Sequence, residues 1–324
     1  MYQEMTEGGA VPEAAREMPA HEETSQDNPL VELIQPAMEH EEATEHSDQL
    51  DAVPGDFVDF YGLTENPFSD AVNPLYFYKT DLHEETYIRM MLAVRHNISL
   101  GLVTGASGTG KTLVSQLVLQ NLDPALYNPV LVLVTPGMSK TALLREILNE
   151  LDVPVPAGPF VATRDLLKIL GEHVMQLHSE NRKLVILIDE CHFLSAESLH
   201  ILRTLSNIEV PDRKLLTCLL FAEDRFMKRL EHPSYESLRN RMYLRSQLMP
   251  LSPDECAQYV KYRLIVAGRP EPLFDPEALD ALYTASGGIS RQMNKLGMLC
   301  LLEGFLRKRQ MIHADIVTHC ATQM

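Results

Sequence analysis

Hydrophobic residues follow two spacings between residues 56 and 250. Short continuous apolar runs, typical of strands buried on both faces of a sheet, alternate with stretches whose apolar residues lie three and four positions apart. The runs predict strands at 97–104, 129–134, 183–188, 215–221 and 243–248. The intervening stretches predict helices at 83–94, 113–119, 140–151, 163–179 and 196–208. Strands alternating with helices predict an α/β fold in which helices cover both faces of a parallel sheet.

The pattern changes to helices alone after residue 250. Ser252, Asp275 and His313 each precede a predicted helix that carries acidic residues in its first turn, as helix N-termini do. We therefore expect an α/β domain over 56–250 and an all-helical domain over 251–324.

Acidic residues are concentrated at the start of the chain. Residues 1–55 hold 14 acidic residues and one arginine, a net charge of −13 out of −17 for the whole chain, so the rest carries only −4. Such a composition predicts a disordered tail. Its one apolar stretch, 29–38, is either an apolar part of a linker or a short helix that docks in the groove of a protein partner.

Bulk composition narrows the class of protein. A hydrophobic content of 45% is enough for a buried core. No apolar run approaches the roughly 20 residues that span a bilayer, and the first residues lack the pattern of a signal peptide. The five cysteines are scattered without a C-x-x-C pair, which disfavours a zinc site or a disulfide framework. These features favour a reduced, cytoplasmic protein without a transmembrane segment.

A phosphate-binding motif lies between the first predicted strand and the next helix. Its pattern is G-x-x-x-x-G-K-[ST], in which glycines let backbone N–H groups face an anion, the lysine approaches the outer phosphates and the hydroxyl binds Mg²⁺. The helix N-terminus adds to the attraction for phosphate. The predicted nucleotide contacts are Gly105, Ala106, Ser107, Gly108, Thr109, Gly110, Lys111, Thr112 and Leu113.

An acidic pair follows the apolar strand that ends at Ile188. Asp189 is expected to hold Mg²⁺, and Glu190 to orient the water that attacks the γ-phosphate. Because the chain has no Asn-Lys-x-Asp motif that reads guanine, the cofactors predicted are ATP and Mg²⁺. The same residues read D-E-x-H, as in one helicase superfamily, but the all-helical C-terminus leaves no room for the second lobe of such an enzyme.

Four further side chains complete the candidate site. Arg239 and Arg241 follow the fourth strand and are alternative candidates for an arginine finger that enters a neighbouring subunit's site. Arg291, after Gly287 and Gly288, would reach the phosphates of its own subunit. Glu223 follows the fourth strand where a polar residue usually contacts the water or the γ-phosphate.

Together these motifs resemble the AAA+ superfamily, and more closely its ExeA/GspA-type ATPases of secretion and pilus systems and their relatives TniB, TnsC and MuB in DNA transposition. The resemblance covers 57–321. The residues that carry it are Phe60-Tyr61-Gly62-Leu63, Asn66-Pro67-Phe68, His83-Glu84-Glu85, Gly105–Thr112, Ile188-Asp189-Glu190, Leu205-Ser206-Asn207, Leu238-Arg239-Asn240-Arg241-Met242, Leu251-Ser252 and Gly287-Gly288-Ile289-Ser290-Arg291-Gln292-Met293-Asn294.

The resemblance implies a P-loop AAA+ sheet domain with a helical lid, a hexamer-like homo-oligomeric ring, and ATP bound between the two domains. It also implies that Pro67 and Phe68 lie near adenine. The sequence departs from the family at Glu223, where a glutamine is usual and a negative charge near the γ-phosphate would slow hydrolysis.

Three classes of function follow from this resemblance. The favoured one is an ATPase that supports a secretion, pilus or envelope machine beside the inner membrane. The second is a regulator of transposition that assembles on DNA, which the nearly neutral charge of 56–324 supports weakly. The third is an ATP-gated scaffold with slow turnover.

Overall fold

The computed structural model of this chain describes residues 56–69, 74–156 and 161–324. The predicted acidic tail, with its apolar stretch at 29–38, lies outside the described residues. Each of the five cysteines is a buried free thiol. Within the described part of the chain, no helix combines the length and the apolar character needed to cross a bilayer.

A five-stranded parallel sheet forms the centre of the α/β part. Its order is β2-β3-β6-β1-β7, and β4 and β5 form a separate two-residue ladder that the sequence did not predict. All five predicted strands are present. The strands are β1 (Leu100–Gly105), β2 (Tyr127–Leu133), β3 (Lys183–Asp189), β4 (Glu209–Val210), β5 (Arg213–Lys214), β6 (Leu216–Glu223) and β7 (Met242–Leu248).

Helices follow the strands and then continue alone, which confirms the predicted α/β fold with a helical C-terminal part. In the described chain the α-helices are α1 (Phe57–Phe60), α2 (Asp81–Arg95), α3 (Lys111–Gln120), α4 (Lys140–Glu150), α5 (Thr163–Ser179), α6 (Ala196–Leu205), α7 (Arg225–Leu230), α8 (Glu236–Arg239), α9 (Pro253–Val266), α10 (Pro276–Ser286), α11 (Ser290–Leu306) and α12 (Ala314–Ala321).

Successive strand residues face opposite sides of the sheet, so each strand contributes to two hydrophobic layers. On one face, Leu102 and Ile186 pack in a cluster with residues of α4, α5 and α6. On the other face, Val103 and Leu187 pack with residues of α2 and α3. Burial on both faces explains why the strands read as continuous apolar runs.

The C-terminal helices have a hydrophobic core of their own, which also takes in the segment around α1. The Tyr61 hydroxyl donates to the Arg309 carbonyl at 3.0 Å. Phe68 is 2% exposed and lies against Gly297, where even a Cβ atom would approach the ring to within 2.8 Å. Both aromatics share a cluster with residues of α9 to α12. The division of the chain into domains at residue 250 stays a prediction.

We expect Phe68→Ala to lower the free energy of unfolding by about 3–5 kcal/mol, because it removes a fully buried ring and leaves a cavity between residues 57–68, here called the entry segment, and α11. Urea unfolding followed by circular dichroism measures this change. Tyr243→Ala is the matched control, since Tyr243 is 77% exposed and its loss should cost less than about 0.5 kcal/mol. Equal losses in the two variants would contradict the packing described.

Candidate nucleotide-binding site

The phosphate-binding loop connects β1 to α3 and lines an open cleft of about 190 Å³. Gly108 and Gly110 have φ angles of 84° and 92°, in the left-handed region that glycine enters without a steric penalty. Gly110 is also the N-cap of α3 and has no side chain to bind the first helical N–H groups. Those groups are therefore available to an anion in the cleft.

Lys111 is held by the loop itself. Its Nζ donates to the carbonyl oxygens of Gly105 at 3.1 Å and Ala106 at 2.9 Å, and the residue is 5% exposed. Burial lowers the pKa of this ammonium, while the carboxylates of Glu190 and Asp189 act in the opposite direction. An ammonium has three N–H donors, so one remains for a phosphate oxygen.

Thr112 and Asp189 place a hydroxyl and a carboxylate next to each other. Thr112 Oγ1 donates to Asp189 Oδ2 at 2.7 Å, and the other carboxylate oxygen accepts from the Glu190 backbone N–H at 2.8 Å. Asp189 is 3% exposed. Oxygen ligands of this kind suit Mg²⁺, which commonly binds through one or two carboxylates and the phosphates of a nucleotide. The donor set therefore fits the predicted metal.

Glu190 lines the cleft, and its backbone is unusual. Its φ of 54° lies in the left-handed region, which is rare for a residue with a side chain. One carboxylate oxygen, Oε2, is 3.2 Å from Nδ1 of His192. This position, between Asp189 and the imidazole, is compatible with orienting a water molecule in the cleft.

His192, Glu223 and Arg225 form a charged cluster behind Glu190. His192 Nδ1 lies 3.3 Å from the donating Glu223 backbone N–H and 3.2 Å from the Glu190 carboxylate, and Nε2 has no hydrogen-bond partner among the described residues. Burial lowers the pKa of this imidazole, and the Glu223 carboxylate opposes that effect. Glu223 Oε2 accepts from Arg225 Nε at 3.0 Å. Its negative charge is therefore paired with a guanidinium.

Residues at the start of α11 contact the loop directly. Ser290 Oγ donates to the Gly108 carbonyl at 2.6 Å, and Arg291 Nη1 donates to Ser107 Oγ at 3.1 Å. The backbones are so close that a Cβ atom on Gly108 would lie 2.7 Å from that of Arg291. Arg291 thus lies beside the loop, and its contact with the phosphates stays a prediction; Ser290 is a contact that the motif alone did not reveal.

The two candidate arginine fingers are bound within their own chain. Arg239 Nη1 donates to the backbone carbonyl of Leu230 at 3.0 Å. Arg241 donates to Ser237 Oγ and to Asn207 Oδ1, both at 2.9 Å. Neither residue lines the cleft of its own subunit. Their action on a neighbouring subunit stays a prediction.

Pro67 and Phe68 do not line the cleft. Phe68 lies in the helical core, where its ring packs against Gly297, and the Pro67 carbonyl accepts a hydrogen bond from Arg263 Nε, a residue of the cleft wall. Their nearness to adenine stays a prediction. The residues that line this wall are Tyr76, Phe77, Tyr78, Tyr259, Arg263 and Asn294.

Comparison with known proteins agrees with this geometry. Residues 94–230 match the family described as AAA domain. Over 261 residues, the chain is 32% identical to general secretion pathway protein A of Aeromonas hydrophila, in an alignment covering 80% of this chain and 47% of that protein. This chain belongs to the AAA+ family. It spans about half the length of the curated relative that it matches.

Solved structures support the AAA+ fold at low sequence identity. Cdc6p of Pyrobaculum aerophilum superposes with a TM-score of 0.64 at 15% identity, covering 81% of this chain and 71% of that one. The ORC2 protein of Aeropyrum pernix, solved in ADPNP–ADP complexes, gives 0.58 at 15%, covering 80% and 71%. The ORC1 protein of the same organism, solved with DNA, gives 0.59 at 18%, covering 76% and 66%. The AAA+ chain shares the fold of these proteins.

We expect the AAA+ chain to lose stability as the pH falls from about 7.5 to about 5.5, partly through His192. The folded-state pKa of His192 is below its ordinary value of 6.5, so the unfolded chain takes up the proton first. Its contribution to stability is therefore complete above pH 6.5 and is lost as the pH falls towards the folded-state pKa. Urea unfolding of the wild type and of His192→Gln across this range measures it. The loss should be smaller in the variant, and equal losses would contradict the assignment.

Proposed function

We propose that this AAA+ protein binds Mg·ATP in the cleft beside the phosphate-binding loop and hydrolyses it. The observation that carries the proposal is the hydrogen bond between Thr112 and Asp189 directly behind the loop, with Glu190 next to it on the cleft wall. A loop that only bound phosphate would need neither acidic residue. A hydroxyl, a carboxylate and a second carboxylate at the carboxyl ends of parallel strands suit metal-assisted hydrolysis.

Each side chain would have a defined role. Backbone N–H groups from Gly108 to Thr112 bind the phosphates, and Lys111 contributes its remaining N–H. Thr112 and Asp189 would hold Mg²⁺, which supplies positive charge that stabilises the phosphates during the reaction. Glu190 accepts a hydrogen bond from the attacking water and orients it. Arg291 lies close enough to the loop to bind a phosphate oxygen in the same subunit.

We further propose that the site is completed in a homo-oligomeric, hexamer-like ring by Arg241 or Arg239 of a neighbour. Both arginines directly precede β7 at the amino edge of the parallel sheet, away from the phosphate-binding loop of their own subunit, and their hydrogen bonds to Ser237, Asn207 and Leu230 hold the guanidinium groups in place. A guanidinium positioned in advance can stabilise charge that develops on the γ-phosphate.

The similarity to general secretion pathway protein A supports a role in a secretion, pilus or envelope machine, with this protein working in the cytoplasm beside the inner membrane. In this proposal the acidic segment 1–55 binds a protein partner. The alternative of a DNA-associated transposition regulator would require basic residues arranged along the assembled ring. DNA binding that weakens steeply with salt would favour that alternative.

We expect Glu190→Gln to lower kcat for ATP hydrolysis by about 100-fold or more while ATP still binds, because the amide cannot accept the proton that the attacking water loses. Lys111→Ala, in contrast, should abolish both the hydrolysis and the binding of ATP. A coupled phosphate-release assay and calorimetric titration measure these effects. Glu172→Gln is the control, since Glu172 is an exposed acid on α5 paired with Lys168. Turnover unchanged by Glu190→Gln would rule out the proposed site.

We expect Arg241→Ala to lower kcat by about 1,000-fold, the order found for arginine fingers. Mixing this variant with Lys111→Ala should restore activity, because the second variant supplies Arg241 to a subunit whose own ATP site is intact. Mixing Arg239→Ala with Lys111→Ala in the same way shows which of the two arginines acts on the neighbouring subunit. If neither arginine variant loses activity alone, or if no mixture regains it, action of an arginine between subunits is wrong.

A further inference from the structure

Three carbonyl groups of the phosphate-binding loop accept hydrogen bonds from side chains around the loop. The Ala106 carbonyl accepts from Lys111 Nζ and from Thr109 Oγ1, both at 2.9 Å. The Gly108 carbonyl accepts from Ser290 Oγ. The Thr109 carbonyl is 3.0 Å from Nε2 of His83, a residue in the first turn of α2. His83 belongs to the His83-Glu84-Glu85 segment that carries the family resemblance, but it is the donor of this set that has no role so far.

The contact with His83 fixes the orientation of one peptide group. In a planar trans peptide, the carbonyl of Thr109 and the N–H of Gly110 point in opposite directions. With the carbonyl directed to His83, the N–H is directed away from it, and Gly110 lines the cleft. If this peptide flipped, a carbonyl oxygen would face the phosphates and repel them.

Glycine makes such a flip easy, so the loop needs an anchor. Gly108 and Gly110 flank Thr109, and both have positive φ angles. Without a Cβ atom, glycine reaches the alternative backbone conformations at little steric cost. The imidazole also fits closely, since a Cβ atom on Gly110 would lie 2.8 Å from His83 Nε2. Residue 110 must therefore be glycine for the imidazole to approach.

Thr80 fixes the tautomer of the imidazole. A carbonyl oxygen can only accept, so the proton must be on Nε2 of His83, and Nδ1 is then an acceptor. Thr80 Oγ1 is 2.7 Å from Nδ1 and donates to it, while the same oxygen accepts from the His83 backbone N–H at 3.3 Å. His83 is 7% exposed, and burial lowers its pKa, which favours the neutral ring. Thr80 thus caps α2 and orients the imidazole.

We propose that His83 is a positioning residue for phosphate binding, whose Nε2–H binds the Thr109 carbonyl and so keeps that oxygen from facing the phosphates of a nucleoside di- or triphosphate, while the Gly110 amide points away from the imidazole. This inference rests on the proposed function of the same cleft. His83 lines the cleft, and the role inferred here acts through the loop backbone.

Two substitutions of His83 distinguish the loss of its N–H donor from the loss of the volume of its ring. His83→Gln places an amide N–H near the position of Nε2, whereas His83→Asn places it near Nδ1, too far from the Thr109 carbonyl. We expect the Kd for ADP to rise about tenfold in His83→Asn, the equivalent of one hydrogen bond, and less than about threefold in His83→Gln. For ATP hydrolysis, KM should rise in His83→Asn with kcat nearly unchanged.

Thr80 provides a second, matched pair. Thr80→Val removes the hydroxyl that fixes the tautomer and should weaken ADP binding in the same direction as His83→Asn, whereas Thr80→Ser keeps the hydroxyl and should restore it. Calorimetric titration of the full chain with ADP measures Kd, and thermal unfolding of the same samples detects any loss of stability.

The outcomes distinguish the two proposals. If the wild type binds ADP tightly and His83→Asn binds it equally well, the proposed role of His83 is wrong, whereas the assignment of the cleft as the nucleotide site is unaffected. If the Asn and Gln variants lose affinity equally and both unfold at lower temperature, His83 only supports the fold, and the inference is again wrong. If the wild type binds neither ADP nor ATP, the proposed function itself fails.

Discussion

The parallel pairing of β1 with β6 is the constraint on which the candidate site depends. Gly105, where the phosphate-binding loop begins, pairs with Glu223, and Ile188, next to Asp189, pairs with Leu220. A shift of one residue in this register would turn every side chain of a strand to the other face of the sheet. The hydrophobic clusters on both faces oppose such a shift, so the packing of the core determines where the polar strand ends meet.

A second hydrophobic core brings the helical part to the same place. The entry segment packs through Phe68 against Gly297, and the residues that follow it, Tyr76 to Tyr78, line the cleft beside the loop. Since α11 carries both Gly297 and the loop contacts Ser290 and Arg291, one helix links the helical core to the phosphate-binding loop. Because Ser290 Oγ lies only 2.6 Å from the Gly108 carbonyl oxygen, a movement of this helix would move the loop with it or break this hydrogen bond.

The sequence alone predicts those features that depend only on residues close together in the chain. The loop glycines, Lys111 and the Asp189–Glu190 pair each lie at the end of an apolar strand, and parallel strands bring such ends to one edge, so the strands and the neighbourhood of these residues could be predicted. Contacts such as that between His83 and Thr109 could not, because they depend on the docking of α2 against the loop. The packing of Phe68 in the helical core could not be predicted for a similar reason, because its aromatic character fits a nucleotide wall and a helical core equally well.

The surroundings of Glu223 change what its negative charge implies for ATP hydrolysis. A carboxylate at this strand end suggests repulsion of the γ-phosphate, and hence slow turnover. In the structure its Oε2 accepts from Arg225 Nε at 3.0 Å, while Nε2 of His192 lies 3.8 Å from the same oxygen, beyond hydrogen-bonding distance. Pairing with a guanidinium partly neutralises the carboxylate. A glutamate at this strand end therefore does not by itself imply repulsion of the nucleotide, and slow turnover stays a prediction.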